Sequence, residues 1–167
     1  KCIRFREADV RAMGRDCQGV RSMKLDDDDY IVDMAIIREG EDKKVITISE
    51  QGFGKRTEEN EFRVQSRAGK GIKAGNFNDK TGKLVNLKLV SPDEDIIIIA
   101  DNGTMIRVRA DQISEIGRNT KGVTIMKLRQ GTKVVAMALS PHDDEAEFDD
   151  VEVSAEELAD AQQESAT

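Results

Sequence analysis

Short apolar segments recur along the first 140 residues of the chain. Five are rich in Val and Ile, and several alternate apolar with polar positions: residues 32–37, 45–48, 84–90, 96–99 and 134–139. Such alternation is typical of strands, whose successive side chains point to opposite faces. Turn-forming residues separate the segments, as at Asp101, Asn102 and Gly103. The pattern predicts an all-β fold with antiparallel strands throughout residues 1–140.

The motif Arg-x-x-x-Gly-Val/Ile occurs three times, as the first, second and third glycine loops, at residues 15–20, 67–72 and 118–123. The loops are spaced by 52 and 51 residues, and Arg4, Arg56 and Arg107 repeat with the same spacing. A period near 50 with about four strands per repeat is typical of propeller-like blades. We therefore expect a partial ring of about three blades, with repeats at approximately 1–51, 52–102 and 103–141. We expect equivalent positions for Val20, Ile72 and Val123.

Charge is divided unevenly along the sequence. All 26 Lys and Arg residues and 22 of the 33 acidic residues precede Asp143, so residues 1–142 carry a net charge of +4. The other 11 acidic residues lie from Asp143 onward, within a net charge of −7 for the whole chain. A cationic body indicates a polyanionic partner, and an acidic tail can compete with that partner for the same cationic surface. We expect an ordered domain at residues 1–141 and a disordered acidic tail at residues 142–167.

Basic side chains recur around the glycine loops and on the segments that follow the polar turns. On successive blades they would form a curved positive stripe that suits the regular phosphates of duplex DNA. The alternative for any one arginine is an ordinary surface ion pair, as Arg56 could make with Glu58 or Glu59. The predicted DNA-binding residues, all taken as exposed, are Arg4, Arg15, Lys55, Arg56, Arg63, Arg67, Lys70, Arg107, Arg118 and Lys121.

Patterns for catalysis or metal binding are missing from the sequence. His142 is the sole histidine, so a Cys/His zinc site cannot be assembled. Tyr30 follows the acidic run at residues 26–29, which would repel a phosphodiester, and we expect it to be a partly buried loop residue. We predict no catalytic residue, metal site or cofactor in this chain. No apolar run is long enough to span a membrane.

Three stretches of the middle repeat resemble a blade of the C-terminal domain of the bacterial DNA gyrase A subunit: residues 52–57, 61–63 and 65–71. Residues 3–5 and 9–15 look like the preceding blade, and residues 106–108, 113–114 and 117–123 look like the last. An acidic tail after the final blade is also similar to gyrase. Residues 65–71 are a degenerate copy of the family's signature box, from which Ser66 and Ala68 depart.

The resemblance implies a β-pinwheel whose basic outer rim wraps duplex DNA without regard to sequence. This chain would be a non-catalytic part of a type IIA topoisomerase that introduces negative supercoils, with ATP and Mg²⁺ used through other domains. Its partners would be duplex DNA and, in a heterotetramer, the remainder of the gyrase A subunit together with the gyrase B subunit. The expected location is the cytoplasm, on the nucleoid. The intact signature box and further blades would precede Lys1.

Two other functions fit part of the pattern. The C-terminal domain of the topoisomerase IV A subunit shares the fold, with fewer or degraded blades and weak wrapping. Three regular repeats and the degenerate copy of the box favour gyrase over that domain. A propeller that binds proteins fits the repeat but not the basic rim, and it predicts no salt-sensitive affinity for DNA.

Overall fold

The computed structural model describes residues 1–142, which form β-strands, three 3₁₀ helices and connecting turns. The strands are β1 (Lys44–Ser49), β2 (Phe53–Thr57), β3 (Leu84–Val90), β4 (Glu94–Ala100), β5 (Met105–Arg109), β6 (Val123–Thr124) and β7 (Val134–Pro141). The 3₁₀ helices are Glu7–Asp9, Glu59–Glu61 and Ala110–Gln112. They begin 52 and 51 residues apart, which is the spacing of the glycine loops. The predicted all-β fold is confirmed.

Two antiparallel sheets contain all seven strands, in the orders β3-β1-β2-β6 and β5-β4-β7. Short turns join β1 to β2 and β4 to β5, and in the second of these Asn102 Oδ1 accepts a hydrogen bond from the Thr104 N–H at 3.0 Å. The register repeats between the sheets, because Ile46 faces Arg56 across β1 and β2 as Ile97 faces Arg107 across β4 and β5. The four-stranded sheet draws strands from all three predicted repeat ranges, so adjacent repeats are linked through strand pairing.

The main hydrophobic core joins the two sheets. Ile46 and Ile48 of β1 are fully buried in one cluster with Ile96 and Ile98 of β4. Val45, on the opposite face of β1, packs in a second cluster with Phe62 and Ala74. β1 is thus buried on both faces, with Ile46 and Ile48 on one and with Val45, Thr47 and Ser49 on the other. Each fully buried Ile contributes roughly 1.5–3 kcal/mol to folding.

The first repeat departs from the prediction. Within the described residues, positions 1–43 hold no strand of two or more residues, only isolated bridges from Cys2 to Ile72 and from Arg4 to Val64. The strand predicted at residues 32–37 is therefore wrong. Its counterparts β3 and β7 are ordered by pairing with β1 and β4. Residues 32–37 have no corresponding partner strand within residues 1–142. The predicted tail lies outside the described residues, apart from His142.

Candidate nucleic-acid interface

The second and third glycine loops are attached in the same way to the repeat that precedes them. Ile72 exchanges two backbone hydrogen bonds with Cys2, each 2.8 Å, and Val123 pairs with Gly54 in the β2–β6 ladder. Cys2 and Gly54 are 52 residues apart, so these two attachments are equivalent, as predicted. Val20, the third member of the predicted set, makes no β-bridge within residues 1–142.

The arginine that opens each of these two loops holds backbone carbonyls of the preceding repeat. Arg67 donates from Nε to the Asp9 carbonyl at 3.2 Å, and from Nη1 to the Arg21 carbonyl. Arg118 donates from Nε to the Glu61 carbonyl at 3.2 Å, and from Nη1 to the carbonyl of Lys73. Each pair of acceptors is separated by 12 residues, so the same clamp is built twice. Both arginines are half-buried.

Arg4 and Arg56 reach in the other direction, toward the repeat that follows. Arg4 Nη1 donates to the Glu59 carbonyl at 2.9 Å and to the Phe62 carbonyl at 3.4 Å. Arg56 Nε donates to the Ile113 carbonyl at 2.8 Å, and its Nη2 donates to a second carbonyl in the same turn at 3.2 Å. Phe62 and Ile113 are repeat counterparts. Repeat-to-repeat attachment therefore explains these two arginines, which are half-buried rather than fully exposed.

Arg107, the third member of that series, makes a different set of contacts. Its Nε donates to Asp95 Oδ2 at 2.6 Å, and its Nη2 donates to the Pro141 carbonyl at 3.2 Å. His142 Nδ1 lies 3.0 Å from both carboxylate oxygens of Asp95. Burial alone would raise the pKa of Asp95, but the hydrogen bonds with His142 and Arg107 outweigh it and lower that pKa below its ordinary value. Arg107 thus joins β4, β5 and the end of β7.

Lys55 is the clearest error among the predicted site residues. Only 2% of its surface is exposed, so the expectation that it lies on an exposed rim is wrong. Its Nζ donates to the carbonyls of Gly117 and Thr120, each at 3.1 Å, and to that of Arg118. Burial lowers the pKa of Lys55 to about 8, although the Glu61 carboxylate opposes the shift. These oxygens provide the buried ammonium with the hydrogen bonds it needs.

Four predicted residues are exposed cations with no partner in the part of the chain that the structure describes: Arg15, Arg63, Lys70 and Lys121. Lys70 and Lys121 are repeat counterparts, and each immediately precedes the left-handed glycine of its loop, Gly71 or Gly122. Further exposed cations, absent from the predicted set, lie just after the loops. Lys24 and Lys127 occupy matching positions there, and their match in the repeat could have identified them.

Neither a metal-binding cluster nor a nucleophile placed to attack a phosphodiester is found in the part of the chain that the structure describes. Among residues 1–142, no cluster of three or more His, Cys, Asp or Glu side chains is arranged to hold a metal ion. Tyr30 is 61% exposed, so the expectation of a partly buried residue is wrong. Its backbone N–H is hydrogen-bonded to Asp29 Oδ1 at 3.0 Å, beside the acidic run. A phosphodiester would be repelled from that position.

The family model described as the DNA gyrase C-terminal domain, a β-propeller, matches residues 1–38, 43–91 and 94–141. The chain belongs to this family. The DNA gyrase A subunit of Thermotoga maritima is 42% identical over 130 residues, covering 78% of this chain and 16% of that protein. The Pseudomonas aeruginosa counterpart is 41% identical over 137 residues, covering 82% and 15%. The chain thus spans less than a fifth of these relatives.

Solved structures agree on the fold. The DNA gyrase A C-terminal domain matches with a TM-score of 0.66 and 24% identity, covering 81% of this chain and 45% of that one. The C-terminal domain of DNA topoisomerase IV matches with a TM-score of 0.77 and 19% identity, covering 98% and 48%. The predicted resemblance to gyrase A is confirmed by the family and its relatives. Within residues 1–142, no helix has the length and apolar character that a membrane crossing requires.

Proposed function

We propose that this chain binds duplex DNA through phosphates, using the cations of its glycine loops and of the turns beside them. The proposal is carried by the four exposed cations that have no partner within residues 1–142, Arg15, Arg63, Lys70 and Lys121. A cation that makes no ion pair within the protein keeps its charge available for a phosphate. Binding of this kind releases counterions from the duplex and does not read bases.

Attachment of the loops gives this surface a defined geometry. The two-carbonyl clamps of Arg67 and Arg118 fix the loops that carry Lys70 and Lys121. An arginine has five N–H donors, and each clamp uses Nε and Nη1, which leaves Nη2 for a phosphate. We therefore assign Arg67 and Arg118 a secondary role in DNA binding. Arg4, Arg56 and Arg107 act mainly by joining repeats and strands.

We propose that, within the whole protein, this domain is the part of a gyrase A subunit that wraps duplex DNA during negative supercoiling. Cations placed at equivalent positions on successive repeats would follow a bent duplex, and the wrap would present one DNA segment to the enzyme with a fixed handedness. Cleavage and ATP hydrolysis would then belong to other domains and to the gyrase B subunit, so this part would be non-catalytic. Its partners would be the rest of gyrase A and the whole of gyrase B, and the assembly would act on the nucleoid.

Salt-dependent binding tests the first part of this proposal. Two duplexes of unrelated sequence are titrated with the chain at salt concentrations between about 50 and 200 mM. We expect equal affinities for the two, and a log–log salt slope of about −4, which corresponds to four phosphate contacts. A protein-binding propeller predicts no salt-sensitive DNA affinity. Affinity confined to one sequence, or unaffected by salt, would contradict the proposal.

Wrapping needs a separate measurement. A nicked circular plasmid is sealed by ligase while the chain is bound, and the topoisomers are separated after the protein is removed. If the DNA wraps with one handedness, sealing the nick fixes a change in the linking number of the plasmid. The topoisomer distribution should therefore shift in one direction as protein is added. Binding without such a shift would support phosphate contacts but refute wrapping by this part of the domain.

A further inference from the structure

Lys55 is buried in β2, and its ammonium is hydrogen-bonded to the turn at the start of the third glycine loop. Its Nζ donates to three carbonyls and to Thr120 Oγ1, the last at 3.3 Å, all within residues 117–120. Thr120 Oγ1 in turn donates to the Gly117 carbonyl at 2.8 Å. Glu61 Oε2 accepts the Arg118 backbone N–H at 2.6 Å. The backbone of this turn is therefore held from two sides.

The other repeats lack this anchor. The counterparts of Lys55 at the repeat spacing are Ile3 and Ile106, which offer no donor. The second glycine loop lies beside Ile3 and has a different backbone, because Ala68 adopts a φ of +67°. Its third-loop counterpart, Asn119, does not adopt a positive φ. The ammonium is thus a feature of one loop and not a general requirement of the fold.

We propose that Lys55 is a positioning residue for DNA binding, whose ammonium fixes residues 117–120 and so orients Arg118 and Lys121 toward the duplex. This inference rests on the proposed function. Lys55 is too deeply buried to contact a phosphate itself, so its effect passes through the turn. Arg118 supplies one of the anchored carbonyls and Lys121 directly follows another, that of Thr120, which makes the direction of both side chains depend on the path of that backbone.

The protonation state of Lys55 offers a way to test whether it positions the third glycine loop. Burial lowers the pKa of Lys55 to about 8, and the charged groups that act on it are Glu61 and Arg118. Between pH 7 and 9 the ammonium therefore loses a proton and one of its three donors. If Lys55 orients the loop, the duplex affinity of the unaltered chain falls across this range at constant salt.

The test compares Lys55→Ile with Lys80→Met. The first introduces the residue that the other repeats carry, and the second removes one exposed positive charge from a turn remote in sequence from the third loop. Thermal melting, amide hydrogen exchange at residues 119–122 and duplex affinity are measured at pH 7 and 9. We expect Lys55→Ile to fold, to exchange faster in the loop, to bind duplex about fivefold more weakly at pH 7 and to lose the pH dependence. Lys80→Met should stay within about twofold of the unaltered chain.

A folded Lys55→Ile chain with unchanged loop exchange and duplex affinity would overturn the inference. If that variant does not fold, Thr120→Val removes one of the four acceptors at an exposed position and should weaken binding in the same direction. Unchanged affinity and pH dependence in folded Thr120→Val would then overturn it. If the unaltered chain shows no salt-sensitive binding, the proposed function fails as well. Normal binding by the unaltered chain and by the variants would refute only the role of Lys55.

Discussion

At the scale of single residues, the joints between repeats depend on glycines at positions where a side chain would collide with a neighbouring backbone. Gly71 and Gly122 have φ values of +69° and +84°, and a Cβ at either would overlap the carbonyl oxygen of Cys2 or Gly54. Gly19, the first copy, has a φ of +79°, but among the described residues no atom lies within 4 Å of the place where its Cβ would be. The three glycines therefore share a left-handed backbone, but only Gly71 and Gly122 have neighbouring atoms that would collide with a side chain.

This difference predicts unequal costs for the same substitution. Gly122→Ala should lower the free energy of unfolding by about 2–4 kcal/mol, because it adds overpacking to left-handed strain. Gly19→Ala carries the strain alone and should cost about 1 kcal/mol. Urea unfolding of both variants measures the two losses. Equal losses would contradict the prediction, because they would show that crowding by the Gly54 carbonyl adds no cost to an alanine at position 122.

Lys55 and Lys70 show which part of the DNA-binding site could be predicted from the sequence and which could not. Both are cations in register with the repeat, and the pattern identifies them equally well. Lys55 is buried by carbonyls that lie 62 to 65 residues further along the chain, which no local pattern contains. Lys70 is exposed, as predicted, and lies between the turn at residues 67–68 and the left-handed Gly71.

At the scale of elements, the side chain of Asp95 links all three strands of the β5-β4-β7 sheet, in addition to the backbone hydrogen bonds between them. Its carboxylate, whose side chain is 3% exposed, accepts from Arg107 of β5 and lies against His142 after β7. Asp95→Asn should lower the free energy of unfolding by about 2 kcal/mol, because charged hydrogen bonds are lost in a buried place. Asp111→Asn breaks an exposed ion pair with Arg109 and should cost under about 0.5 kcal/mol. Similar losses from the two changes would refute this assignment.

The same carboxylate predicts a pH dependence. Its pKa is lowered in the folded chain, so the folded state holds the proton less tightly than the unfolded state. The stabilisation is therefore complete above about pH 4 and is lost as pH falls through the lower folded value. Between pH 5 and 2, the unaltered chain should lose more stability than Asp95→Asn. Parallel acid titration curves for the two chains would contradict this expectation.

Strands were predictable where the partner strand is present. The segments expected at 45–48, 84–90, 96–99 and 134–139 correspond to β1, β3, β4 and β7. Residues 32–37 are also mostly apolar, yet they form no ladder in residues 1–142, because pairing and not propensity orders a strand. Period and alternation therefore predicted the fold, while the irregular structure of the first repeat depends on long-range partners.

At the scale of the whole molecule, charge separates the body from the end of the chain. Residues 143–167 carry 11 acidic and no basic residues, beside a body of net charge +4. A tethered polyanion competes with DNA at high effective concentration. Deleting residues 143–167 should therefore strengthen duplex binding, most clearly at low salt, where screening is weakest. If the tail serves solubility alone, full-length and shortened chains will bind equally at low salt.

The central claim is that the exposed cations in and beside the glycine loops, which have no partner within residues 1–142, bind DNA phosphates. Its most direct test is the salt slope of duplex binding after Arg15, Arg63, Lys70 and Lys121 are all changed to Gln. The matched control changes Arg38, Lys80, Lys83 and Lys133, four exposed cations outside the loops, and so removes the same net charge. We predict that the first variant flattens the slope by about 3–4 with the fold retained, while the control keeps nearly the full slope. Equal slopes for the two variants would contradict the claim.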